Sequence, residues 1–297
     1  LLVVDYIIFF ALIFAAIAAP NGWLRLVASL LSGYWIGRLF IIGHDACHQS
    51  YTPHRKLNRV LGRIAFLPSL SPYSLWEVGH NVIHHGFTNL KGMDFIWIPM
   101  TKSEYDGMSA TRKAMERFYR SGFGPWMYYM VEIWWKKMYF PNKEHKPGNR
   151  EAFFWDGVLV SVFAVIWLTA IALIAPAFDV SLLSAVVTGF IIPFIFWNGM
   201  IGWAVYVHHN HARIQFYDNK KEWAAANPFV TTTVHLTFNK PWGAMMHHIM
   251  EHTAHHLDMT IPLYKLKEAQ DRLEELLPGR IVVQKFSLGW YFKNAKH

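Results

Sequence analysis

A single cysteine, Cys47, stands in a chain of 297 residues. That excludes an internal disulfide and any cluster of metal-binding thiolates. There is no helix-turn-helix, zinc-finger or RNA-binding signature, so nucleic acid is not an expected partner. No internal repeat, low-complexity run or Gly/Ser linker divides the chain, and one domain over residues 1–297 is expected. No convincing hairpin or strand series is visible either, which points to an all-α fold.

What the chain has instead is apolar and aromatic side chains. Hydrophobic residues make up 53%, with 14 Trp, 13 Tyr and 22 Phe, more than an ordinary soluble domain carries. Four stretches are long enough for the roughly 30 Å hydrocarbon core of a bilayer, which takes about 20 helical residues. They cover residues 1–19, 23–42, 153–178 and 180–205. The turn "PNG" (Pro20–Gly22) separates the first two and "APAFDV" the last two, so two helical hairpins are expected, each entering and leaving on one side. The first residue is Leu rather than Met, and the apolar start is expected to be a spanning helix, not a targeting peptide. Ionisable residues in these stretches are few: Asp5, Arg25, Arg38 and Asp156, near predicted ends or isolated. That argues against a transport pathway, which such residues would mark.

Two polar segments, residues 43–152 and 206–297, hold 26 of the 28 Lys and Arg residues; Arg25 and Arg38 are the exceptions. Positive charge beside helix ends favours the cytoplasmic side. Both polar segments and both termini are therefore expected there, in an integral, multi-pass membrane protein. The net charge of +8 suits anionic headgroups or an acidic partner, or serves only as the topology signal. The aromatic, lysine-flanked stretch Phe123–Pro141 is expected in the membrane interface. Ile261–Gly279 reads as an amphipathic helix closed by Pro278 and Gly279.

The 17 histidines are grouped. "HDACH" places His44 and His48 at an i,i+4 spacing that shares one helical face, directly after the second apolar stretch. "HNVIHH" repeats the spacing with His80 and His84, and adds His85. "HTAHH" supplies His252, then His255 and His256 at i+3 and i+4. "VHHNH" adds His208, His209 and His211. Interfacial histidines responding to pH would not explain the repeated spacing; metal binding does. Imidazole without thiolate suits Zn, Cu, Fe or Ni. Eight histidines in three groups exceed the needs of one metal, so two are implied. Iron with open positions would give oxygen chemistry and zinc hydrolysis, and spacing alone leaves both open.

HDACH, HNVIHH and HTAHH, interleaved with four apolar helices, resemble the three histidine boxes of the integral-membrane fatty acid desaturase and hydroxylase superfamily. "HHIMEHTAHHLDMTIPLY" is similar to the acyl-lipid desaturase branch. HDACH with a His-rich second box also resembles carotenoid ketolases, whose third region differs. The resemblance implies four transmembrane helices with a cytoplasmic helical cap, and a di-iron centre that uses O₂ to place a double bond in an acyl chain. That chain would be linked to a lipid, an acyl carrier protein or coenzyme A. It carries the ligand roles onto His44, His48, His80, His84, His85, His252, His255 and His256. A ninth ligand falls among His208, His209 and His211, with His209 favoured by alignment. Three residues separate the first two histidines of the second box, where many desaturases have two and alkane hydroxylases have three. That leaves hydroxylase, acetylenase or ketolase chemistry as the alternative, with a di-zinc hydrolase more distant. No cytochrome b5-like "HPGG" segment is present, so electrons would come from a separate ferredoxin or cytochrome b5.

Acids beside the boxes could orient ligand rings through their second nitrogen. The candidates are Asp45, Glu77, Asp94, Glu251 and Asp258, with solvated surface charge as the alternative. His248 is a further candidate for that supporting role, beside His247. His54, His145, His235 and His297 are expected to hold no metal, and Cys47 to pack as a small side chain.

Overall fold

Pro20 stops one apolar helix, α1 (Leu2–Ala18), and Asn21 starts the next, α2 (Gly22–Cys47), by accepting a hydrogen bond from Leu24 N at 2.9 Å. These helices open a computed structural model that is mostly helical and describes residues 1–143, 148, 150–239 and 241–295. His145 and His297 lie outside the described residues. The principal helices that follow are α3 (Arg55–Phe66), α4 (Glu151–Ile174) and α5 (Ile192–His209). Among the described residues, three helical stretches are long and apolar enough to cross a membrane: Gly22–Cys47, Glu151–Phe178 and Leu182–His209. The fourth apolar helix, α1, has 17 residues, about 25 Å at 1.5 Å per residue. Packing divides the chain into two compact units, Leu1–Trp76 with Trp134–Ile201, and Glu77–Ile133 with the residues from Gly202 onward.

In the first unit, α2 approaches α5 closely because Gly33 has no side chain. A Cβ there would stand 2.7 Å from the Pro193 carbonyl oxygen and 3.0 Å from Phe196 Cβ. Backbone cannot yield as a flexible side chain does, so Gly33→Ala is expected to cost about 1–3 kcal/mol through overpacking. A lowered thermal midpoint in detergent would show it. Phe40 stacks on Phe66 at a centroid distance of 4.6 Å and meets Trp197 at 4.5 Å, filling the space along α2.

The ionisable residues of the apolar stretches are not isolated, which corrects the expectation from the sequence. Asp5 accepts from Arg38 Nε at 3.0 Å and from Trp35 Nε1 at 3.1 Å. Asp156 accepts from Arg63 Nε at 2.6 Å and from the Ser74 amide at 2.8 Å. A buried carboxylate is tolerable only when so paired. The partners lie 33 and 93 positions away in sequence, beyond the reach of local pattern.

Among its described residues the second unit holds short helices and one strand pair. β1 (Val234–Thr237) and β2 (Val282–Lys285) run parallel, with Val234 opposite Val282 and Thr237 opposite Lys285. The all-α expectation is corrected here. Four-residue strands are too short to register as alternation, although Val-rich and Thr-rich segments favour them. Two helices complete the frame, α6 (His252–Leu257) and α7 (Leu263–Leu276). α7 occupies the middle of the stretch expected to be an amphipathic helix. It buries Leu263, Leu266, Gln270 and Leu273 along one face.

Candidate metal centre

The second histidine box is not an α-helix. Residues Val78–His84 form a π-helix, which passes into a short α-turn at His85–Phe87. In an α-helix, positions i and i+4 share a face; the wider π turn, with its i→i+5 bonds, brings i and i+5 together instead. His80 Nε2 accordingly faces His85 Nε2 at 3.1 Å. His84 turns elsewhere, its ring centroid 4.6 Å from His209 and 4.8 Å from His256. His80 and His84 remain neighbours, ring centroids 5.3 Å apart, yet their donor nitrogens belong to different groups.

The first group is His84, His209, His252 and His256, all buried, with one ring nitrogen from each lying within 4.8 Å of the others. Donors on one ion at roughly 2.1 Å metal–nitrogen distance cannot be more than about 4.2 Å apart, so small ring movements would suffice. The other nitrogen of three of these rings is anchored. His84 Nδ1 lies 3.1 Å from Asp94 Oδ2, and that carboxylate also accepts from the Asn89 and Ile96 amides. His209 Nδ1 meets the Thr232 carbonyl at 3.2 Å. His256 Nδ1 meets Thr88 Oγ1 at 3.1 Å, while the Thr88 hydroxyl gives its proton to the His84 carbonyl.

Each of those oxygens accepts, so each Nδ1 must carry the proton. On a neutral ring Nε2 is then the bare atom, the form in which histidine binds a metal, and burial keeps His209 and His256 neutral. His209 Nε2 points at His252 Nε2 across 2.8 Å. Among the described residues, His256 Nε2 is buried and has no hydrogen-bond partner. Buried bare nitrogens are costly unless something satisfies them, and a cation would. The residues present therefore fit a metal.

A second group in the same unit contains His80, His85 and His255, again with donor nitrogens within 4.8 Å of one another. His85 and His255 have centroids 4.7 Å apart. The third box is thus divided like the second: His252 and His256, one turn apart, serve one group, and His255 the other. Burial, reinforced by neighbouring imidazoles, holds His255 at about 3 and His252 and His256 well below the ordinary histidine pKa. All three are neutral at pH 7 and ready to ligate.

In the first unit, α2 continues through His44 and is capped at His48. The two rings are 4.6 Å apart and both are buried. His208 stacks on His252 and places Nε2 3.1 Å from Met250 Sδ. His211 turns away to Gln284 Oε1 at 3.3 Å. His248 pairs with Glu251 at 3.0 Å. Asp45 takes the Ser50 hydroxyl at 2.5 Å, and Asp258 closes a local turn on the Thr260 amide at 2.9 Å. Glu77 is half-buried just before the π-helix. Asp94, among the acids singled out in the sequence, meets a ring of the four-histidine group with its carboxylate. Thr88 and Thr232 do the same work and carried no sequence signal, since Thr88 and His256 are 168 positions apart.

Asp94→Asn weakens the hold on His84 while leaving its ring in place. Metal affinity at the four-histidine group is expected to fall about 10–100-fold, the usual cost of losing a ligand's orienting partner. Titration of purified protein, resolved for the two groups, would check this.

Residues 21–287 match the family model described as fatty acid desaturase. The omega-6 fatty acid desaturase of chloroplasts from Spinacia oleracea is 28% identical over 263 residues, 87% of this chain and 55% of that protein. Its counterpart from Glycine max is also 28% identical, over 87% of this chain and 58% of the relative. The sn-1 oleoyl-lipid 12-desaturase of Picosynechococcus sp. is 28% identical over 285 residues, 92% of this chain and 76% of the relative. The chain spans little more than half the length of the two plant proteins. With the match running through all three histidine boxes and both histidine groups, the chain belongs to the fatty acid desaturase family.

Proposed function

We propose that this chain is an O₂-dependent desaturase acting on a lipid-linked acyl chain, with two iron ions held by histidine. The observation that carries the reading is the four-histidine group, in which three Nδ1 protons are fixed by Asp94, Thr232 and Thr88 so that bare Nε2 atoms converge. His84, His209, His252 and His256 would hold one ion. His80, His85 and His255 would contribute to the other, with His44 and His48 of the first box completing the nine ligands. Held there, two reduced irons would supply, with O₂, an oxidant strong enough for an unactivated carbon.

The protein's own share is positioning. Neutral imidazoles leave the metal charge uncompensated, unlike the carboxylate-rich ligand sets of soluble di-iron bundles. The anchored rings are limited to small movements, so the geometry is largely set before substrate arrives. Relatives named for omega-6 and oleoyl-lipid desaturation support an acyl-lipid substrate, with acyl carrier protein and coenzyme A esters as the other carriers. The finer topology in this reading is four spanning helices, with both polar segments and both termini cytoplasmic. A separate ferredoxin or cytochrome b5 delivers the electrons, guided by the net charge of +8.

Two measurements test the reading. Elemental analysis of purified protein should give two irons per chain, and lipid mass spectrometry after expression in a host of known composition should show a new double bond. A new hydroxyl group would move the assignment to hydroxylation on the same centre, and two zincs with no O₂ dependence would overturn it.

A further inference from the structure

The helix that carries His252, His255 and His256 has no cap of its own. α6 is six residues long, and its N-cap residue is Glu251, whose side chain turns to His248 Nδ1 instead of the helix amides. A helix start leaves its first N–H groups without intrahelical acceptors, and the N-cap side chain normally takes the second or third of them. In α6 the third amide, Ala254 N, donates at 2.8 Å to Oε1 of Gln270. Gln270 lies on α7 and is fully buried. The cap is supplied from another helix.

The direction of the Gln270 amide is fixed in turn. Its Nε2 donates to Glu274 Oε1 at 2.9 Å, one turn along α7, and the same oxygen faces His235 Nδ1 on β1 at 2.5 Å. A carboxylate only accepts, so the amide nitrogen must point at Glu274 and the amide oxygen at α6. Reversal would set oxygen against oxygen and nitrogen against an N–H. His235, expected from the sequence to hold no metal, is thereby the outer end of a chain running His235, Glu274, Gln270, Ala254.

We propose that Gln270 is a positioning residue for both metal groups, acting through the backbone of α6, with Glu274 and His235 holding its amide in register. The proposal rests on the metal-centre reading above. Asp94, Thr88 and the Thr232 carbonyl each orient one ring of the four-histidine group. Gln270 acts on the helix beneath three rings: His252 and His256 of that group and His255 of the other. Its loss therefore reaches both metals, whereas loss of Asp94 reaches one.

The test uses the full chain in detergent, titrated with Co²⁺ alone and followed by ligand-field absorption at a temperature well below unfolding. Gln270→Met removes the acceptor with little change in bulk, and affinity for both ions is expected to drop about 10-fold or more. Glu274→Ala frees the amide and should lose affinity in the same direction. Combining Gln270→Glu with Glu274→Gln keeps an oxygen toward Ala254 N and a donor between the two side chains, and should restore most of the loss. Thermal midpoints of the metal-free proteins are recorded alongside. A lower midpoint with unchanged Co²⁺ affinity and spectrum in Gln270→Met overturns the proposal, as does loss confined to one ion. Should Gln270→Met not fold, wild-type affinity in Glu274→Ala overturns it. Failure of the unaltered chain to bind Co²⁺ would instead sink the metal-centre reading itself.

Discussion

His256→Ala is expected to abolish activity and to reduce metal content from two ions per chain to about one. His256 is buried, neutral, anchored through Nδ1 to Thr88, and its bare Nε2 has no protein partner among the described residues. Removing one of four donors costs more than losing an orienting partner, so affinity at that ion should fall by more than about 100-fold. His211→Ala is the control. His211 bonds Gln284 and stacks on Trp290 at 5.8 Å, away from both groups, and its variant should keep both ions. Elemental analysis of monodisperse protein separates the two outcomes. Full metal content in His256→Ala would remove this residue from the site.

Asp156→Ala is expected to be the most damaging change outside the histidine groups. The Asp156 carboxylate is 5% exposed and neutralises Arg63, which is itself 30% exposed, and it also satisfies the buried Ser74 amide. Truncation leaves the Arg63 cation without its counter-charge and the Ser74 N–H without its acceptor in an apolar setting. Breaking a fully buried pair costs about 3–5 kcal/mol, and because Arg63 can reach water the cost here should be about 2–3 kcal/mol. The thermal midpoint in detergent should fall by about 5–10 °C. Asp156→Asn keeps an acceptor for Ser74 and should lose less. Equal midpoints for Asp156→Ala and the unaltered chain would show that the pair contributes nothing to stability.

Much of the site was legible in the sequence because histidine is scarce elsewhere in such an apolar chain, and its spacing survives as local geometry. The first and third boxes lie on α-helical turns, so i,i+4 reasoning placed His44 beside His48 and His252 beside His256. The second box defeated it. Nothing in "HNVIHH" announces a π-helix, which depends on what the neighbouring segments demand of the backbone. The ion pairs Asp5–Arg38 and Asp156–Arg63, the parallel pairing of β1 with β2, and the Thr88 and Thr232 anchors were likewise hidden, each joining residues tens of positions apart.

The sequence by itself determined that this protein is membrane-embedded in character and gathers imidazole in quantity, since hydrophobic length and residue chemistry are properties of single segments. Only the tertiary structure decided how the histidines divide. Neighbouring residues 84 and 85, and again 255 and 256, turn to different groups because successive side chains on a helix diverge by roughly 100°. Which nitrogen each ring offers is likewise settled by an acceptor from a distant segment, because a tautomer is fixed by its hydrogen-bond partner and not by the residue that bears it.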